Sequence, residues 1–166
     1  MSILRFSVTS LALLTAIAVP VKAKILMGGD VNPGGTSLQP DPRAAGEKLY
    51  VGESGIGTLT VREAGQVSNQ YGYIALQSGS LGLAAVKGAN SQWSNSEELI
   101  VGFSGIGMLD VEAGGVVSNT LDDIGVISGS VSEATVTDTG SEWNNSSDLH
   151  VGNSGDGTLN VIGQPR

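Results

Sequence analysis

A fifty-residue register constrains this chain more than any other feature. LYVGESGIGTLTV at 49–61 returns as LIVGFSGIGMLDV at 99–111 and as LHVGNSGDGTLNV at 149–161. Laid over 99–148 without a gap, 49–98 matches it at 23 of 50 positions. A fixed period of this length marks stacked units, none of which can bury its apolar face alone.

Within each unit the apolar pattern has period two. Leu49 and Val51 flank Tyr50, Leu59 and Val61 flank Thr60, Ile74 and Leu76 flank Ala75, and Ala84 and Val86 flank Ala85. The second unit keeps apolar residues at Leu99, Val101, Leu109, Val111, Ile124, Val126, Ala134 and Val136, while the positions between them drift. That is the mark of short strands with one buried face. Glycines at 52, 55 and 57 recur at 102, 105, 107 and at 152, 155, 157, and punctuate the strands as corners. The fold class expected is all-β, a parallel β-helix (β-solenoid) over 47–166. It divides into units 49–98 and 99–148 and a partial 149–166. Coils of such helices take roughly 20 residues or more, so each unit should hold two coils. No antiparallel neighbour is expected beside the Leu59 strand.

The ends read differently. Arg5, an apolar run from Val8 to Val19, and Val21 and Ala23 at the −3 and −1 places form a secretory signal peptide over 1–23. The run is short for a bilayer, where about 20 apolar residues are wanted, and no membrane span is expected in the mature chain. Residues 24–46, with Gly28, Gly29, Pro33, Gly34, Gly35, Pro40 and Pro42, read as a Gly/Pro-rich linker or irregular N-terminal cap. A final strand with only five residues after Val161 suggests end-to-end self-association. The net charge is −8, and loss of Arg5 and Lys22 makes the mature chain more acidic. This disfavours nucleic acid as a partner. There is no cysteine, so no disulfide holds the fold.

Several motifs suggest chemistry. Gly52-Glu53-Ser54-Gly55-Ile56-Gly57 lacks the Lys of a phosphate loop and the G-x-S-x-G order of a nucleophile elbow. Three copies in register favour a corner. Asp156 stands in the third copy where Ile56 and Ile106 stand in the others, and Asp122 and Asp123 align with Gly72 and Tyr73. Calcium wants six to eight oxygens, so these acids read as solvated surface and no metal or other cofactor is expected. Thr58, Thr60, Thr135 and Thr137 do not repeat as an array. His150, the only histidine, aligns with Tyr50 and Ile100 and has no evident partner. Trp93 and Trp143 are the only tryptophans and lie in register. They are either sugar-stacking platforms, and so candidate glycan contacts, or packing residues. Asn95, Ser96, Asn145 and Ser146 should satisfy backbone groups at the next turn.

The phrase L-x-V-G-x-S-G-x-G-x-L-x-V, carried by Leu49, Val51, Gly52, Ser54, Gly55, Gly57, Leu59 and Val61, continues with Gly65 and Val67. Ser91, Trp93, Asn95 and Ser96 close the unit. This pattern, over about 49–161, resembles the repeat of type V secretion (autotransporter) passengers and PEP-CTERM-associated surface proteins. The resemblance implies an exported bacterial β-helix at the outer membrane, the cell surface or outside the cell. It would act as a structural or adhesive passenger meeting cell-surface glycan or protein, and it implies no catalytic residues. The outer-membrane barrel or Pro-Glu-Pro sorting tail of those families is not found within residues 1–166. The alternative is a carbohydrate-active enzyme or glycan-binding module on a β-helix. A hydrolase of that kind needs carboxylates paired across coils.

Overall fold

A computed structural model describes residues 24–34, 38–39 and 42–163; the signal peptide read over 1–23 lies outside them. The described residues contain strands and turns and no helix. They wind into about five turns of a solenoid with three faces.

The first face holds five parallel strands: β6 (Ile56–Arg62), β9 (Leu81–Lys87), β12 (Ile106–Glu112), β15 (Val131–Thr137) and β18 (Asp156–Ile162). Each begins 25 residues after the last, so Ile56, Leu81, Ile106, Val131 and Asp156 form one column. The second face stacks β7 (Gln66–Asn69), β10 (Gln92–Asn95), β13 (Val116–Asn119) and β16 (Glu142–Asn145). The third stacks β5 (Lys48–Val51), β8 (Tyr71–Ile74), β11 (Glu98–Val101), β14 (Leu121–Ile124) and β17 (Leu149–Val151). The fifty-residue unit is therefore two turns, and the turns are unequal. On the third face Leu49 pairs with Gly72, 23 residues on, and Gly72 with Leu99, 27 residues on. The corners account for the difference: they take four, three and one residues in the shorter turn (52–55, 63–65 and 70) and six, four and two in the longer (75–80, 88–91 and 96–97).

Alternation places Leu59, Ala84, Leu109 and Ala134 in one buried column, and Val61, Val86, Val111 and Val136 in the next. Large and small residues offset each other within a turn. The turn that carries Trp93 has Ala84 on its first face, whereas the turn that carries Val67 has Leu59 there. A close-packed interior demands such compensation, since voids and overlaps both cost stability.

Three expectations are corrected. Leu76 does not continue the alternation. Ala75 takes a left-handed conformation (φ 60°) and is itself fully buried beside Ile74, so Leu76 falls at the corner, half-buried. Gly125 (φ 74°) repeats this and leaves Val126 half-buried. Next, residues 24–46 are not irregular throughout. β1 (Lys24–Gly29) buries Ile25 and Met27, β2 (Val31–Asn32) buries Val31, and β3 (Leu38–Gln39) and β4 (Arg43–Ala44) complete the first turn's edge. Finally, the Leu59 strand does have an antiparallel neighbour. Met27 of β1 pairs with Leu59, while β9 runs parallel on the other side. Reversing the chain at this edge covers the first turn and takes up backbone groups that would otherwise be left open.

Candidate functional site

The second face places Val67, Trp93, Val117 and Trp143 in one inward column. Trp93 is 0% exposed and donates its indole N–H to Asn69 Oδ1 at 2.7 Å. A sugar cannot stack on a ring with no exposed face, so Trp93 is a packing residue. Trp143 is partly buried and bonds Asn119 Oδ1 in the same way at 2.8 Å. Beneath the tryptophans runs a column of asparagines: 69, 95, 119 and 145. Asn69 Nδ2 donates to Asn95 Oδ1 at 2.6 Å. Asn95 thus serves a neighbouring side chain rather than the next turn's backbone. Asn145 does meet backbone, donating to the Asp148 carbonyl at 2.8 Å and accepting from Ser147 N–H at 3.3 Å.

Asp122 is not solvated surface. It stands in the inward column Leu49, Gly72, Leu99, Asp122, Leu149 and is 0% exposed. Neither carboxylate oxygen makes a hydrogen bond, although the Asn119 amide and Trp143 indole are near enough to favour its ionised form. Burial dominates and pushes its pKa up to about 7, helped by the charges of Asp123 and Glu98. Asp122 also lines a cavity of about 280 Å³ at the last turn, with Trp143, Asn145, Leu149 and Leu159.

The outward side of the third face gathers the remaining reactive groups. One column runs Tyr50, Tyr73, Ile100, Asp123, His150, and beside it run Lys48, Tyr71, Glu98, Leu121. Tyr50 and Tyr73 stack with centroids 5.1 Å apart. Burial and the neighbouring Glu98 push the Tyr73 phenol up. Glu98 and Asp123 sit on adjacent turns. Burial first and Asp123 second raise the Glu98 pKa. His150 Nδ1 lies 3.2 Å from Asp123 Oδ1, so the histidine has the partner that the sequence did not reveal. This face brings two carboxyls and an imidazole together on three successive turns. Among the described residues no group of three His, Asp or Glu side chains is arranged to hold a metal ion.

The repeated Gly-x-Ser-Gly-x-Gly segments are corners. Gly52 has φ 78°, and a β-carbon there would stand 2.5 Å from the Leu81 carbonyl oxygen. At the first corner the Ser54 and Gly55 amides both donate to Asp30 Oδ2 at 2.6 Å, which lowers the Asp30 pKa. In the third copy main-chain carbonyls take these roles, Ser154 N–H donating to the Val126 carbonyl at 3.0 Å and Gly155 N–H to the Gly125 carbonyl at 3.2 Å. No family model, curated protein or solved structure matches this chain.

Proposed function

We propose that the chain is an exported bacterial β-solenoid segment of the autotransporter-passenger or PEP-CTERM-associated type. Displayed at the cell surface or secreted, it acts as a non-catalytic structural spacer whose outer faces meet cell-surface glycan or protein. One observation carries this reading: an inward column of the third face stays constant from turn to turn while the outward column beside it changes. Val51, Ile74, Val101, Ile124 and Val151 stay aliphatic in one column, whereas the adjacent outward column passes from tyrosine to isoleucine to acid to histidine. A scaffold needs constant stacking and tolerates a varied exterior. An epitope inserted at the exposed corner 77–79 tests display. Intact bacterial cells expressing the tagged chain should bind antibody and lose the epitope to added protease. An epitope found only in the cytoplasmic fraction refutes export.

A second reading, action on a carbohydrate, draws on the Glu98–Asp123 pair, because hydrolases use two carboxyls facing one bond. Release of reducing ends from a polysaccharide by the purified chain, abolished by Glu98→Gln, would replace the first reading with this one.

A further inference from the structure

The outward side of the first face carries an apolar stripe that the spacer reading leaves unexplained. Ile56, Ile106 and Val131 are 63%, 45% and 51% exposed in one column, with Leu81 half-buried between the first two. Met108, 42% exposed, adds to it from the next column beside Leu83. Contiguous apolar surface on a soluble protein marks an interaction site. The columns within and beside the stripe are charged in a directional way. Lys24, Arg62 and Lys87 lie on the early turns, and Asp110, Glu112 and Glu133 on the later ones.

We propose that this face binds a second copy of the chain, face to face, with the two solenoid axes antiparallel. A two-fold axis parallel to the strands, between β9 and β12, keeps each column opposite itself and reverses its order. Ile56 then faces Val131 of the second copy, Leu81 faces Ile106, and Leu83 faces Met108. Lys87 faces Glu112, and Thr58 faces Glu133. Every apolar residue of the stripe meets an apolar residue, and Lys87, which pairs with Glu112 of its own chain at 3.4 Å, also meets Glu112 of the second copy. This is the self-complementarity an isologous contact requires. Parallel axes would reverse the strands instead and set the isoleucine column against Arg62, Lys87 and Glu112. The column order therefore selects the antiparallel arrangement.

The size is adequate for a reversible dimer. Six strands, β1 included, make a face of about 23 Å by about 29 Å, on the order of 650 Å² per partner. Stable interfaces bury about 800 Å² per partner, so a weak contact is expected.

The test uses purified chain from about 10 to 200 μM in sedimentation equilibrium. The dimer fraction should rise over this range. Ile106→Glu should abolish the rise while leaving the circular dichroism spectrum and thermal midpoint close to those of the parent. The register has its own readout. Thr58→Cys and Glu133→Cys, mixed as separate variants, should give a covalent dimer on oxidation, and neither should do so alone. Within one chain the two positions are three strands, about 14 Å, apart, beyond the ~7 Å limit of a disulfide. A monomer throughout the range overturns the proposal, as does a dimer unaffected by Ile106→Glu. Crosslinking of Thr58→Cys alone overturns the register. Loss of display with the dimer intact would count against the spacer reading only.

Discussion

A β-carbon on Gly72 would stand 3.1 Å from Cζ2 of Trp93. The tryptophan of one turn fills room that the absent side chain of the preceding turn leaves. The same β-carbon would meet Leu99 Cδ1 at 2.8 Å and Asn95 Oδ1 at 2.5 Å. Gly72→Val should therefore destabilise the fold by about 2 to 3 kcal/mol through overpacking. A lower urea midpoint at unchanged slope would show it.

Asp122 should make stability fall as pH rises. Its folded pKa is about 7, against about 3.9 in the unfolded chain. Well below pH 4 both states hold the proton and no charge is buried. Between pH 4 and 7 the unfolded chain ionises first, and the folded state loses ground until the cost is complete above 7. Asp122→Leu matches the leucines at 49, 99 and 149 in the same column. It should raise the thermal midpoint clearly at pH 8 and little at pH 4. Equal gains at both pH values would contradict a buried, titrating carboxyl.

The two tryptophans should report different surroundings. Trp93 is fully enclosed, whereas Trp143 borders the cavity at the last turn. In Trp143→Phe, the fluorescence of Trp93 should resist acrylamide quenching several-fold better than Trp143 does in Trp93→Phe.

Removing the amide beneath Trp93 should cost more than one hydrogen bond. Asn69→Ala strands the indole N–H and the Asn95 carbonyl, both buried, and Asn95 Nδ2 already lacks a partner. Unsatisfied buried groups cost about 1 to 3 kcal/mol each. Chemical denaturation should show a loss larger than for Asn145→Ala, whose side chain is more exposed.

Corner residues 75 and 125 give a reciprocal pair. Ala75 holds φ 60° at a cost of about 1 kcal/mol, which glycine avoids, so Ala75→Gly should be neutral or stabilising. Gly125→Ala adds that strain and a β-carbon 2.8 Å from the Asp156 carbonyl. It should destabilise, as read by thermal unfolding.

The solenoid, its two turns per unit and most of its inward positions were legible, because stacking repeats what it needs at Leu49, Leu59 and Val61. What escaped depends on the unequal turns. Asn69 and Asn95 share a column at a spacing of 26, and Asn95 and Asn119 at 24, so a comparison at fifty residues cannot reveal the ladder. Glu98 and Asp123 meet for a related reason: Glu98 pairs with Leu121 at a spacing of 23, which brings Asp123 alongside. Asp122 aligns with a glycine at fifty residues and so reads as surface, although the winding sets it among leucines. The strand Lys24–Gly29 alternates Ile25 and Met27 correctly, but the Gly/Pro-rich stretch after it masked that signal. Ala75 gave no warning because alanine rarely adopts positive φ.

The pairing of a 23-residue turn with a 27-residue turn also governs how such a gene can grow. Duplicating a single turn would stack like on like: a six-residue corner on another, and a tryptophan above a leucine instead of above Gly72 or Asp122. Duplicating both turns preserves every corner and every column. Length can therefore be inherited only in double steps of about 9.6 Å, and the fifty-residue period is the smallest genetic unit the packing accepts.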